Sequence, residues 1–111
     1  MIKFVYLVKR AEHLTFEEFV TYHRERHAPL FKSIPEAAKY VRRYTVSHPV
    51  PAEQYPAPGW DAVVEICFDS WADHDAFFTS ENYRTVVQPD ESTFFVHADI
   101  SVMVTEERVI I

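Results

Sequence analysis

Thr15–Leu30, TFEEFVTYHRERHAPL, is the stretch that decides how the chain is read. Thr15 and Glu18 form a capping box. The Thr15 hydroxyl can accept from the Glu18 amide, and the Glu18 carboxylate can reach back to the Thr15 amide. Leu14 and Phe19 stand where a hydrophobic staple stands. The apolar stripe runs through Phe16, Phe19 and Val20, then His23, His27 and Leu30 or Phe31, at helical offsets of three and four. Two histidines therefore occupy places where aliphatic residues are expected. Pro29 removes a backbone donor and disfavours helical geometry at Ala28, so the helix is expected to weaken beside His27.

A histidine on an apolar stripe is either a packed core residue with one satisfied ring nitrogen or, over an uncovered cavity, a general base near neutral pH. His23-Arg24-Glu25-Arg26-His27 is not the zincin motif, because there the glutamate directly follows the first histidine. No metal site is expected.

Outward from this helix, Ile2–Lys9, IKFVYLVK, reads as a first strand with both faces largely apolar. Beyond it, LFKSI adds a further turn and Pro35 closes the region. Ala38–His48 alternates as a second strand, with Tyr40, Arg42, Tyr44, Val46 and His48 on one face and Val41, Arg43, Thr45 and Ser47 on the other. Pro49–Gly59 holds four of the seven prolines and the single glycine, which makes it a stiff loop. Trp60–Asp69 is a third strand, with Glu65 expected to pair with Arg42 or Arg43 and Cys67 to be a small buried apolar residue. Ser70 caps a second helix, WADHDAFF, with Asp73 at the capping-box position. Ser80–Phe95 reads as short helical turns interrupted by Pro89, and Val96–Val104 as a fourth strand.

The order βαββαβ is the split, ferredoxin-like α+β arrangement: a four-stranded antiparallel sheet with helices on one face. The uncovered face keeps apolar residues from the first and third strands, and a second copy of the sheet is the simplest cover. A homodimer is expected. At 111 residues the chain is one domain, residues 1–111. Its net charge of −6 argues against a nucleic-acid or anionic-membrane surface, which would need a basic patch. One cysteine excludes an internal disulfide framework, and one glycine excludes the loops that cradle nucleotides. No apolar run approaches a membrane span, so a cytoplasmic location is the default.

The run F-x-x-Y-x-x-x-x-H-A-P-L (Phe19, Tyr22, His27–Leu30) resembles the first-helix signature of the EthD-like family. MIKFVYLVKR resembles that family's first strand. Pro35, Tyr40 and Tyr44-x-x-x-His48 resemble its second, and Asp61, Glu65 and Phe68-Asp69-Ser70 its third and the turn after it. Phe78-x-Ser80-x-x-Tyr83 and Asp90-Glu91-x-x-x-Phe95 resemble its later helices. The ordered series, rather than any one motif, carries the resemblance, and it implies a dimeric α+β barrel.

Relatives in that superfamily include muconolactone methylisomerases and polyketide cyclases, dehydratases and decarboxylases. They work without metal or organic cofactor, in a pocket between sheet and helices. The methylisomerase pattern pairs a histidine at the position of His27 with a tyrosine at that of Tyr40, a spacing met here. It also has a cysteine directly after the strand-three glutamate, where this chain has Ile66, with Cys67 one place on. His23 and Glu36 depart from the tryptophan and glycine common in the family.

What these readings imply is a cofactor-free isomerase, dehydratase/cyclase or decarboxylase acting on a small aromatic, polyketide-like or lactone-like metabolite. His27 is the candidate base or acid, and Tyr40 the phenol that stabilises an enolate oxygen. His48 is a candidate third catalytic group at the pocket mouth. Tyr6, His23 and Trp60 are candidate substrate-binding walls. The alternative is a non-catalytic dimeric module for a hydrophobic metabolite or haem, with His27 or His48 as axial ligand.

Overall fold

The computed structural model describes residues 1–111. Its strands are β1 (Ile2–Val8), β2 (Val41–Ser47), β3 (Ala62–Phe68) and β4 (Ser101–Thr105). They form one antiparallel sheet in the order β2-β3-β1-β4. Its helices are α1 (Phe16–Tyr22), α2 (Ala28–Ser33), α3 (Pro35–Tyr40), α4 (Trp71–Phe78) and α5 (Gln88–Phe94). Two wide π-turns join helices end to end, His23–His27 between α1 and α2 and Tyr83–Val87 leading into α5. The split βαβ halves repeat at an offset of sixty residues. Ile2–Val8 answers Ala62–Phe68, His23–His27 answers Tyr83–Val87, and Val41 answers Ser101 as the start of a strand.

Local chemistry accounts for the element starts. Both halves of the Thr15–Glu18 capping box are present, at 3.1 Å and 2.9 Å. Ser70 caps α4 by accepting from the Asp73 amide. The prolines do not stop the helices as the sequence suggests. Ala28 is helical (φ −62°, ψ −44°), and its N–H bonds to the His23 carbonyl five residues back. The Gln88 N–H bonds to the Tyr83 carbonyl in the same way. Each wide turn is followed by a proline, Pro29 or Pro89. The extra residue in the turn loosens the ladder where a proline ring would otherwise clash with the preceding carbonyl, so the helix runs on.

Two strand boundaries also differ from expectation. Tyr40 ends α3 and does not lie in β2, because Pro35 starts a helix where alternation suggested the approach to a strand. A bulge between Val41 and Arg43 makes Arg42 an extra residue. Val41 therefore joins Tyr44 on the helix side of the sheet, against the expected alternation. The fourth strand starts at Ser101, since His97–Asp99 forms a 3₁₀ turn.

The core lies between the sheet and the helices. Phe19, Phe31, Phe68, Phe77 and Phe94 are buried in it with Val8, Val64, Ile66 and Val87. Each such side chain contributes about 1.5–3 kcal/mol by leaving water. The opposite sheet face carries Val5, Leu7, Val63 and Met103, with Cys67 buried among them. There Glu65 takes the Thr45 hydroxyl (3.2 Å) and Lys3 (3.5 Å), not an arginine. No helix is long and apolar enough to cross a membrane.

Candidate functional site

The first wide turn aims two histidines inward. His23 and His27 are each 1% exposed, with ring centres 6.0 Å apart. Phe94 of α5 packs against both, at 5.1 Å and 4.7 Å. Phe19 closes the N-terminal side of His23 at 5.6 Å.

His27 is oriented from α5. Its Nδ1 lies 2.9 Å from Asp90 Oδ2. Asp90 Oδ1 accepts from the Tyr22 hydroxyl at 2.5 Å, and the Thr93 hydroxyl donates to the Asp90 backbone carbonyl at 2.6 Å. That hydrogen bond to Asp90 raises the Tyr22 pKa and keeps the phenol a donor. An ionised carboxylate only accepts, so the neutral His27 ring carries its proton on Nδ1. The lone pair is then on Nε2. This atom is buried and has no hydrogen-bond partner. An unmet buried polar atom costs about 1–3 kcal/mol, so its retention marks a place where packing has not been optimised for stability.

His48, at the end of β2, comes back to this site. Its Nε2 is 3.0 Å from His23 Nδ1, and its ring stands edge-on to Phe19 at 5.8 Å. One of these two nitrogens must donate and the other accept. Burial, followed by the charges of His48 and His27, pushes the His23 pKa down to about 3, so His23 is neutral at pH 7. Burial, then Arg24, lowers that of His48 as well.

Beyond the Phe94–Phe95 pair lies a cavity of about 270 Å³. Tyr6, Phe78, Tyr83, Phe95 and His97 line it around Glu91. Glu91 is 6% exposed; Oε2 accepts from the Tyr83 hydroxyl at 2.7 Å and Oε1 lies 3.1 Å from His97 Nε2. Burial, then Tyr44, holds the Tyr6 phenol protonated well above its usual range. Burial, then Glu91, does the same to Tyr83. The Tyr44 hydroxyl is buried nearby without a partner, its pKa raised by burial and by Glu91. The cavity thus offers aromatic walls, hydrogen-bond donors and one buried carboxylate, the usual make-up of a small-molecule site.

Of the six residues singled out in the sequence, His23, His27 and His48 are brought together. Tyr6 lines the cavity on the other side of Phe94 and Phe95. Tyr40 makes no hydrogen bond or ring contact with His27; the Lys39 ammonium lies 5.1 Å from its ring. Trp60 sits under the Lys9 ammonium at 5.2 Å. Asp90, Tyr83, Glu91 and His97 are the site residues that sequence reasoning missed. In the sequence Asp90 and Glu91 stand out only as matches to the later helices of the EthD-like family, with no role attached. The sixty-residue offset is the signal that reveals Tyr83, which stands where His23 stands in the first half. No group of three His, Cys, Asp or Glu side chains is arranged to hold a metal ion.

The fold recurs in solved structures. An ethyl tert-butyl ether degradation (EthD) family protein from Bacillus halodurans superposes with a TM-score of 0.73 at 19% identity, over 97% of this chain and 99% of that one. An EthD-like protein from Ralstonia eutropha JMP134 gives 0.68 at 20% identity, over 95% and 89%. A dimeric ferredoxin-like protein of unknown function from Bacteroides fragilis gives 0.68 at 14% identity, over 96% and 95%. No curated protein sequence matches. The model of the EthD domain matches residues 11–98, and the chain belongs to that family.

Proposed function

We propose that this protein is a cofactor-independent acid/base enzyme of the isomerase, dehydratase/cyclase or decarboxylase kind. Its substrate is a small aromatic, polyketide-like or lactone-like metabolite, and His27 is the general base. One observation carries the reading: Asp90 holds Nδ1 at 2.9 Å while Nε2 is buried and free. That is how an imidazole is set to take a proton from a carbon acid beside a carbonyl. The carboxylate fixes the tautomer and stabilises the imidazolium that forms. The enolate oxygen needs a donor. Tyr40 is the phenol suggested by the resemblance; Tyr6, held protonated and lining the cavity, is the one the packing favours, since the Tyr83 hydroxyl already donates to Glu91. His23 and His48 back the base as a neutral hydrogen-bonded pair. Phe94, which separates His27 from the cavity, must turn aside for substrate to reach Nε2. The working form is a homodimer, in line with the apolar open face of the sheet and with the dimeric ferredoxin-like proteins of similar fold.

The test is proton exchange. The protein in D₂O is incubated with a panel of small aromatic β-keto acids and unsaturated lactones, and deuterium gain is read by mass spectrometry. Exchange at an activated C–H is expected, falling about 10²–10⁴-fold in His27→Gln. Exchange that persists unchanged in that variant removes His27 from the role.

A further inference from the structure

A second concave surface lies between α2, α3 and the bulged start of β2, bordered by Arg24 of the wide turn that also carries His23 and His27. It is a cleft of about 700 Å³. Its apolar floor is built of small or flat groups: Ala28, Pro29, Ala37, Ala38 and the Phe31 ring, which stacks on Tyr44 at 4.0 Å. Its rim is Arg24, Lys32, Arg42 and Arg43, and no residue lining it is acidic. Three of the eleven lysines and arginines of a chain with net charge −6, Arg24, Lys32 and Arg42, therefore meet at one cleft.

Two backbone irregularities bring them there. The bulge between Val41 and Arg43 makes Arg42 the unpaired extra residue of β2 and sets it on the rim, while Arg43 borders the cleft from its place beside Cys67. On the helical side, Arg24, Ala28 and Lys32 follow one another at intervals of four across the wide turn. Two of these cations are unpaired. Arg24 and Lys32 form no ion pair with a carboxylate. Arg42 holds Asp69 at 2.8 Å in an exposed pair, which is easily exchanged. Arg43 lies in the field of Glu107.

We propose that this cleft binds a small amphipathic organic anion: a flat apolar body on the alanine and phenylalanine floor and one carboxylate met by Arg24, Lys32 and Arg42. An arginine fork suits a carboxylate in shape as well as charge. The site does not depend on His27 and stands or falls separately from the catalytic reading.

The probes are 2-naphthoate and its neutral counterpart 2-naphthylmethanol, titrated at low ionic strength into the ¹⁵N-labelled full-length protein and followed by amide NMR. Shifts are expected in Arg24–Lys32 and Ala37–Tyr44, with naphthoate binding at least about fivefold more tightly than the alcohol. Added salt should weaken naphthoate alone. Arg24→Gln/Lys32→Gln, a surface change whose spectrum reports its own folding, should cost naphthoate about fivefold and leave the alcohol unchanged. Equal affinity for the two probes, indifference to salt, shifts confined to the open sheet face, or no saturable binding would each overturn the proposal.

Discussion

His23 shows how one residue links packing to pH. Its ring is buried between Phe19 and Phe94 and hydrogen-bonded to His48; burial, then the charges of His48 and His27, depresses its pKa from 6.5 to about 3. In the unfolded chain the same imidazole titrates near 6.5. Between those values the unfolded state binds the extra proton, so stability rises with pH across the window. The contribution is complete above about pH 6.5 and drains as the pH falls toward 3, at a rate on the order of 1 kcal/mol per pH unit. His23→Leu keeps the volume and removes the titration; the half-buried His48 can turn to water. Urea midpoints measured from pH 7.5 down to 4.5 should fall less steeply in the variant than in the parent. Identical slopes would mean that another group governs acid unfolding.

At the scale of elements, what was legible was whatever short-range chemistry dictates. The capping box placed the start of α1, Ser70 and Asp73 placed α4 at Trp71–Phe78, a short β-branched and aromatic run placed β1, and alternation placed β3. What escaped were single-residue insertions. A wide turn and a β-bulge each add one residue to a regular ladder, and no local propensity announces where it goes. Their effect is large because each re-aims everything after it. The wide turn keeps both His23 and His27 inward and carries the helix past Pro29. The bulge moves Val41 into the core and Arg42 toward the cleft. The candidate site was legible as far as one chain segment could show it, in the pair of histidines on an apolar stripe. Asp90 lies sixty-three positions from His27, and Glu91 shares its partners across Pro89, so their roles exist only in the packed molecule. Tyr40 was read into the second strand because the alternation extends back through it, whereas Pro35 starts a helix that ends on it.

The whole molecule leaves one sheet face bare, with Val5, Leu7, Val63 and Met103 on it and Lys3, Arg43 and Glu65 among them. An apolar face of this kind wants a second copy, and charges in its middle fix how the copies meet. Sedimentation equilibrium should give twice the 13.1 kDa chain mass, and Leu7→Lys should shift the species toward monomer without unfolding it. A parent that stays monomeric at micromolar concentration would remove the homodimer. The central claim rests on a smaller fact, the side of one imidazole on which the proton sits, and it can be tested without knowing the substrate. Long-range ¹H–¹⁵N correlation of the histidine rings reports the tautomer directly. The neutral His27 ring should carry its proton on Nδ1, leaving a pyridine-like Nε2, and Asp90→Asn should disturb this signal more than any other histidine's. A neutral His27 ring protonated on Nε2 would contradict it, because the nitrogen assigned as the free base would then be a donor.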